Sequence, residues 1–227
     1  MTGVNDLRMR QWQLRTPLSE EDIGRLQIGD IVFLDGCLFT GREGFYHRLF
    51  DLGEAPPVDL PTISNVTFHC SPAVNETSPG VYHIPAVSAT ASFRFDKYLP
   101  LLFEQHGVRA VIGKGGMQPE VYQEVFRKYK AVYLTTVGYG LGAMYGRGIQ
   151  KVKEVYWKDE LGLAQAVWVL EVEKFGPFLV ECDPSGQSLF ALANEEINQT
   201  FEGLYTELPQ PKLKRLGEVT SPGKEVL

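Results

Sequence analysis

Long apolar runs are missing from this chain of 227 residues. No stretch approaches the roughly 18–20 consecutive apolar residues of a membrane span, so no membrane association is expected. Basic residues are outnumbered, 22 Lys and Arg against 28 Asp and Glu, for a net charge of −6. They form no dense stripe either, which argues against a nucleic-acid partner. Cysteine is scarce: Cys37, Cys70 and Cys182 are odd in number, far apart and without any Cys-x-x-Cys spacing. That excludes a disulfide framework and suits a reducing, cytoplasmic compartment. Met1 to Arg15 is polar and charged, unlike a secretory leader, so the Asn-x-Thr sequons at Asn65, Asn75 and Asn198 carry no weight. There is no Gly-x-Ser-x-Gly elbow, no His-Glu-x-x-His helix and no internal repeat, and the four histidines have no metal-ligand spacing. What is present is ordinary globular material: 44% hydrophobic and 22% charged residues, enough for a sizeable core.

Residues 1–14 read as an irregular lead-in, residues 15–208 as one domain and residues 209–227 as a flexible tail. Ser19 followed by Glu20-Glu21-Asp22 predicts a helix start, since the hydroxyl caps backbone amides and the acidic turn suits the dipole. A strand is expected over Asp30 to Asp35, a loop over Gly36 to Gly41 and a helical stretch over Glu43 to Leu52. Asn65 to Cys70 and Val81 to Val87 read as strands joined by a turn-rich Ser71 to Gly80. The second half has a β-α-β-α-β rhythm. Strand 81–87 leads to a helix from Phe93 to His106, with Pro100 expected to kink it. Strand Val108 to Ile112, a helix from Gln118 to Lys130 and strand Ala131 to Thr135 follow. Strands Ala166–Val172 and Pro177–Glu181 and a helix from Leu189 to Tyr205 complete the α/β reading.

In an open parallel sheet, ligands bind at the carboxyl ends of the strands. Three loops rich in small residues would meet there: Ser88–Arg94, Gly113–Met117 and Thr135–Gly142. Gly113-Lys114-Gly115-Gly116 lies between strand and helix and reads equally as an anion-binding loop or a tight turn with an exposed lysine. It lacks the Lys-Ser/Thr ending of a Walker loop. Thr90 and Arg94 are four apart at a loop-to-helix junction, where a threonine is usually a cap; Thr40-Gly41-Arg42-Glu43 reads otherwise as a polar turn. Together Arg42, Arg94 and Lys114 would present three cations to one small polyanion, and a dicarboxylate is the natural ligand. His106, before Gly107, is placed to cap a helix end.

Four collinear stretches carry a resemblance: Leu18-Ser19 through Gly29-Asp30, Thr40-Gly41-Arg42-Glu43, Gly113 to Met117, and Phe175-Gly176-Pro177-Phe178. Over about residues 14–190 the chain resembles the β subunit of the class I iron–sulfur fumarate hydratase and L(+)-tartrate dehydratase family, and equally the carboxy-terminal part of single-chain class I fumarases. The resemblance implies a swivelling β/β/α domain with the β-α-β-α-β core. It implies a [4Fe–4S] cluster held by a partner α subunit, none bound by this chain alone, and an α2β2 heterotetramer. The activity it implies is reversible dehydration of a 2-hydroxy dicarboxylate, malate to fumarate or L-tartrate to oxaloacetate. The alternative is a non-catalytic dicarboxylate-binding or regulatory paralogue. Thr90 and Lys114 would be catalytic, Thr90 as the base; Arg42, Arg94, Lys114, Gly115 and Gly116 would bind substrate. The chain departs from the family at Ala91, which loses a second threonine, at Glu43, where the family has Asp, and at Tyr46, where it has His.

Overall fold

The computed structural model describes residues 9–138 and 140–204. Nine strands are described: β1 (Gln11–Arg15), β2 (Ile31–Thr40), β3 (Val66–Phe68), β4 (Cys70–Ser78), β5 (Val81–Ala89), β6 (Ala110–Gly113), β7 (Val132–Thr136), β8 (Ile149–Tyr156) and β9 (Val167–Cys182). Seven form one sheet in the order β1-β2-β3-β6-β7-β9-β8, and β2 also pairs with β9. That extra pairing closes β2, β3, β6, β7 and β9 into a ring, with β1 and β8 attached outside it. The mixed α/β class is as expected, but the sheet is neither open nor wholly parallel. β1, β2, β3, β6 and β7 run parallel, while β9 runs antiparallel to β2, β7 and β8.

Of the ring strands, β3, β6 and β7 are buried on both faces, which is why they read as near-continuous apolar runs. Alternation still sorts their side chains. Val66, Phe68, Ala110, Ile112, Val132 and Leu134 pack with Leu34, Leu38, Trp168, Phe175 and Phe178 in one cluster. Their neighbours Val111, Tyr133 and Phe39 turn the other way, against Tyr46, Phe95, Leu99, Phe103, Tyr122 and Phe126 of the helices. The period of two along a strand produces both cores.

Several expectations are corrected. Residues 11–14, read as irregular, belong to β1, with Leu14 buried beside Leu34. The loop expected at Gly36 to Gly41 is the second half of β2, which keeps its ladder with β9 through Phe39. The turn-rich Ser71 to Gly80 is mostly β4, hairpinned to β5 in a separate two-stranded sheet. The first strand of the β-α-β-α-β unit is therefore β3 and not 81–87; the hairpin is an excursion before the first helix.

That helix begins as a tight 3₁₀ stretch, Ser92–Tyr98, and becomes α-helical over Leu99–His106. Pro100 stands in the first turn of the α part, where its missing N–H is harmless, so it starts a helix instead of kinking one. Gly107 closes it at φ 64. The runs expected at 166–172 and 177–181 are a single strand, β9, which bends at Lys174 and Gly176 (φ 45 and 157). β8 had no counterpart among the expected strands. Ser19 does cap Glu20–Arg25, in a reciprocal box with Asp22. The tail from residue 209 lies outside the described residues.

Candidate functional site

The carboxyl ends of β2, β3 and β6 lie side by side, because Thr40 pairs with Phe68 and Phe68 with Ile112. The chain leaves β2 through Gly41 and Arg42, β3 through His69, and β6 through Lys114. Thr90 returns from the hairpin to the same edge: its N–H donates to the His69 carbonyl (2.7 Å), and its carbonyl accepts from the Lys114 N–H (3.2 Å). Ala91 forms a parallel bridge with Lys114. The Ser88–Arg94 and Gly113–Met117 loops are thus stitched together by backbone, with Thr90 buried between them.

Arg42 caps the short helix Glu43–Tyr46 from extended backbone. One of its terminal nitrogens donates to Ser71 Oγ on β4 and to the Ala164 carbonyl (3.0 Å), both uncharged acceptors. Its Nε is buried and has no hydrogen-bond partner. Arg94, in the 3₁₀ stretch, is half exposed and reaches back to Glu43 at 2.8 Å. So the structure brings Arg42, Glu43, Thr90, Arg94 and the Lys114 backbone into one neighbourhood. The pairing of Arg94 with Glu43 was not foreseen, and it tempers the three-cation picture with one carboxylate.

The glycines of the loop after β6 differ in role. A Cβ on Gly113 would overlap Ser92 Oγ and crowd the Tyr133 hydroxyl, so this glycine serves packing. Gly115, at φ 69, faces open space and is the position whose backbone a small anion could approach. Gly116 sits over Phe190, Tyr122 and the carboxyl of Glu181. Glu181 is fully buried, accepts from Ser188 Oγ at 2.5 Å, and is pushed above the ordinary carboxylate range by burial. In the third loop, Gly142 and Gly146 of helix Gly142–Arg147 have no room for a Cβ against the Val87 and Pro85 carbonyls. Their small size lets that helix lie on β5, not backbone approach a ligand.

The histidines differ in setting. His47 is exposed and pairs with Asp51 at 2.9 Å. His106 packs on Phe50 with ring centroids 6.0 Å apart. The family's His position, Tyr46, is fully buried, and its hydroxyl lies 2.6 Å from His69 Nε2. Sequence reading passed over His69, Ser92 and Tyr133, all buried at this edge. Their spacings of 23 and 41 residues leave no local pattern, and only the position of His69 directly after an apolar strand marks it.

The cysteines do not make a cluster site. Cys70 and Cys182 are buried in different packing clusters, with their thiols pushed up by burial, and Cys37 is unpaired on β2. Among the described residues no three of His, Cys, Asp and Glu are grouped to hold a metal ion. The described residues do not fit an iron–sulfur cluster as ligands.

Taken together, a mixed sheet carries cationic loops at one edge of an α/β scaffold, a candidate site for a small anion. Comparison with known proteins then places it: residues 2–193 match the family described as Fumarase C-terminus, and the chain belongs to that family. It is 33% identical over 178 residues to the L(+)-tartrate dehydratase subunit beta of Escherichia coli (strain K12), covering 78% of this chain and 86% of that one. A putative L(+)-tartrate dehydratase subunit beta of Methanocaldococcus jannaschii is 30% identical over 190 residues, 82% of this chain and 95% of the relative. A putative fumarate hydratase class I of Geobacillus stearothermophilus is 33% identical over 206 residues, 91% of this chain but 38% of that longer protein.

Proposed function

We propose that this chain is the β subunit of an iron–sulfur hydro-lyase that reversibly dehydrates a 2-hydroxy dicarboxylate, malate to fumarate or L-tartrate to oxaloacetate. The names of the relatives support the hydro-lyase class and the β-subunit role. The observation that carries the site assignment is the backbone stitch between Thr90 and Lys114 beside the Arg42, Glu43 and Arg94 group. Arg42, Arg94 and Lys114 are of the sign that suits a dicarboxylate, and each charge-assisted hydrogen bond would contribute about 1.5–3 kcal/mol.

In this reading the domain built on β1 to β9 swivels to close over an α partner in a cytoplasmic α2β2 assembly. The partner holds the [4Fe–4S] cluster. On this chain, Arg42 and Arg94 bind the substrate carboxylates, and the Gly115 and Gly116 backbone lies along the bound anion. Lys114 binds and polarises the substrate beside Thr90. Thr90 takes the proton from the carbon next to the hydroxyl-bearing one, and the C–H electron pair becomes the second bond between the two carbons. The hydroxyl leaves with its electron pair as hydroxide, a departure for which the partner's cluster would supply Lewis acidity. A threonine hydroxyl is a weak base near neutral pH, so the flanking cations must stabilise its anionic form. Closure against the partner would exclude water and strengthen these interactions.

The test is to co-purify the full chain with its α partner anaerobically and assay malate, fumarate and L-tartrate. Arg94→Ala is expected to raise KM for the dicarboxylate at least tenfold while the complex still assembles. An unchanged KM would remove Arg94 from the site. Dicarboxylate binding by the chain with no turnover in the complex would favour the non-catalytic paralogue.

A further inference from the structure

Behind Thr90 and Lys114 four side chains form a continuous hydrogen-bonded relay. The Tyr46 hydroxyl lies 2.6 Å from His69 Nε2, and His69 Nδ1 lies 2.8 Å from Ser92 Oγ. Ser92 Oγ is 2.8 Å from the Tyr133 hydroxyl, which is 3.2 Å from the Lys114 carbonyl. All four residues are fully buried. Each belongs to a different piece of the site edge. Tyr46 ends the helix that Arg42 caps, and His69 follows β3. Ser92 opens the 3₁₀ stretch of Arg94, and Tyr133 stands on β7 under the Lys114 loop. The His69 backbone joins in: its N–H donates to the Ile112 carbonyl (2.8 Å) and its carbonyl accepts from Thr90.

Proton counting orients the relay. A carbonyl only accepts, so a proton in the Tyr133–Lys114 contact comes from Tyr133, and the Ser92–Tyr133 contact, which either hydroxyl can donate, is then left to the Ser92 proton. Ser92 then donates to Tyr133, and His69 Nδ1–H donates to Ser92. A neutral ring leaves Nε2 to accept from Tyr46. This is the one arrangement of a neutral imidazole in which all four contacts carry a proton. The ring is boxed by aromatic edges, Phe95 at 4.9 Å and Tyr46 at 5.6 Å between centroids. Its ionisable neighbours in the relay are the two tyrosines, and burial pushes its pKa down to about 3, so it stays neutral. Gly113 is required because any side chain there would drive into the Ser92–Tyr133 link.

We propose that His69 is a positioning residue, fixed as the Nδ1–H tautomer, which through Tyr46, Ser92 and Tyr133 locks the segments bearing Arg42, Thr90, Arg94 and Lys114 into one register. The functional meaning of those segments rests on the hydro-lyase reading; the relay does not. Polar groups satisfied this way in a dry interior select one arrangement of the elements they join, because any other leaves a buried group unpaired.

The test uses the full chain labelled with ¹⁵N-histidine. Long-range ¹H–¹⁵N correlation is expected to show His69 protonated at Nδ1, bare at Nε2 and unchanged from pH 5 to pH 8. In Tyr133→Phe the amides of Thr90 and Lys114 should exchange with solvent about tenfold faster or more, while the Val180 amide, which donates to the Asp30 carbonyl ahead of β2, keeps its rate. Ser92→Ala is read the same way if Tyr133→Phe does not fold. An Nε2–H tautomer, titration in that range, or unaltered exchange at Thr90 and Lys114 would overturn the proposal. Neither readout involves a dicarboxylate, so failure of the relay and failure of the hydro-lyase reading would be separately visible.

Discussion

Two fully buried polar residues mark opposite ends of the parallel strands, Asp30 just before β2 and His69 just after β3. Asp30 is held by charge. Arg10 grips it with two nitrogens (2.8 and 2.6 Å), and Trp12 Nε1 and the Gln27 N–H donate at 3.0 Å each. Although burial opposes it, this set keeps the carboxyl below the ordinary range and therefore ionised. His69 meets hydroxyls and aromatic rings instead, and is left neutral. The first arrangement ties the ends of β1 and β2 to the turn after the first helix. The second leaves no fixed charge behind a site proposed to bind an anion. Both side chains are closed to solvent, but Asp30 lies under a partly exposed arginine and His69 deep among aromatic rings; depth and surroundings together decide whether the group supplies stability or an orientable, uncharged frame.

The largest effect expected on this contrast is from Asp30→Ala. It strands the Trp12 and Gln27 donors and frees Arg10, and should cost about 3 kcal/mol in a denaturant titration. Gly113→Ala should follow at about 2 kcal/mol, since the new methyl group forces Ser92 and Tyr133 apart.

The two ends should also separate by pH. The folded pKa of Asp30 lies below its unfolded value. Its contribution is therefore full above about pH 4 and is lost as pH falls through the lower folded value. For His69 the unfolded ring binds a proton that the folded ring refuses. Stability should then fall from about pH 6.5 downward, by up to about 1.4 kcal/mol per pH unit for that one proton. The half-buried His106, whose pKa burial also lowers, adds a smaller part. His69→Gln is expected to flatten the slope between pH 6.5 and pH 4.5, whereas Asp30→Asn should leave it. Equal slopes in wild type and His69→Gln would contradict the comparison.

The smallest effect on folding belongs to Glu43→Gln. An ion pair this exposed contributes about 0–1 kcal/mol, so the unfolding midpoint should barely move. Released from its carboxylate, Arg94 should bind dicarboxylate a few-fold more tightly in a calorimetric titration. Weaker binding would show that Glu43 orients Arg94 instead of competing for it.

Sequence patterns located β3, β6 and β7 as strands because they are buried on both faces and carry little but apolar residues, although the parallel unit was begun at 81–87 instead of at β3. β4 and β8 escaped for the opposite reason. Asn75, Glu76 and Thr77 resemble turn material, and Lys151, Lys153 and Glu154 are the solvent-facing charges of an outer strand. β9 looked like two strands because Gly176-Pro177 normally ends one. Here the strand bends and continues, its first half against β8 and its second against β7. The candidate site was legible as loops, since Thr90, Arg94 and Lys114 stand near the ends of strands that were identified, whereas Arg42 was read beyond a loop that is in fact the second half of β2. The frame behind it was not. His69, Ser92 and Tyr133 each pass singly as core, and what joins them is tertiary contact across segments far apart in sequence.

The proposed chemistry turns on Thr90, buried and bonded through its backbone to both His69 and Lys114. The most direct measurement is the steady-state rate of the assembled, anaerobically purified complex carrying Thr90→Ala, assayed with malate and L-tartrate beside the unaltered complex. If Thr90 is the base, kcat should fall at least about 10²-fold while KM and assembly stay close to the parent. An unchanged kcat would contradict the role given to Thr90 and, with it, the reading of this edge as a catalytic site.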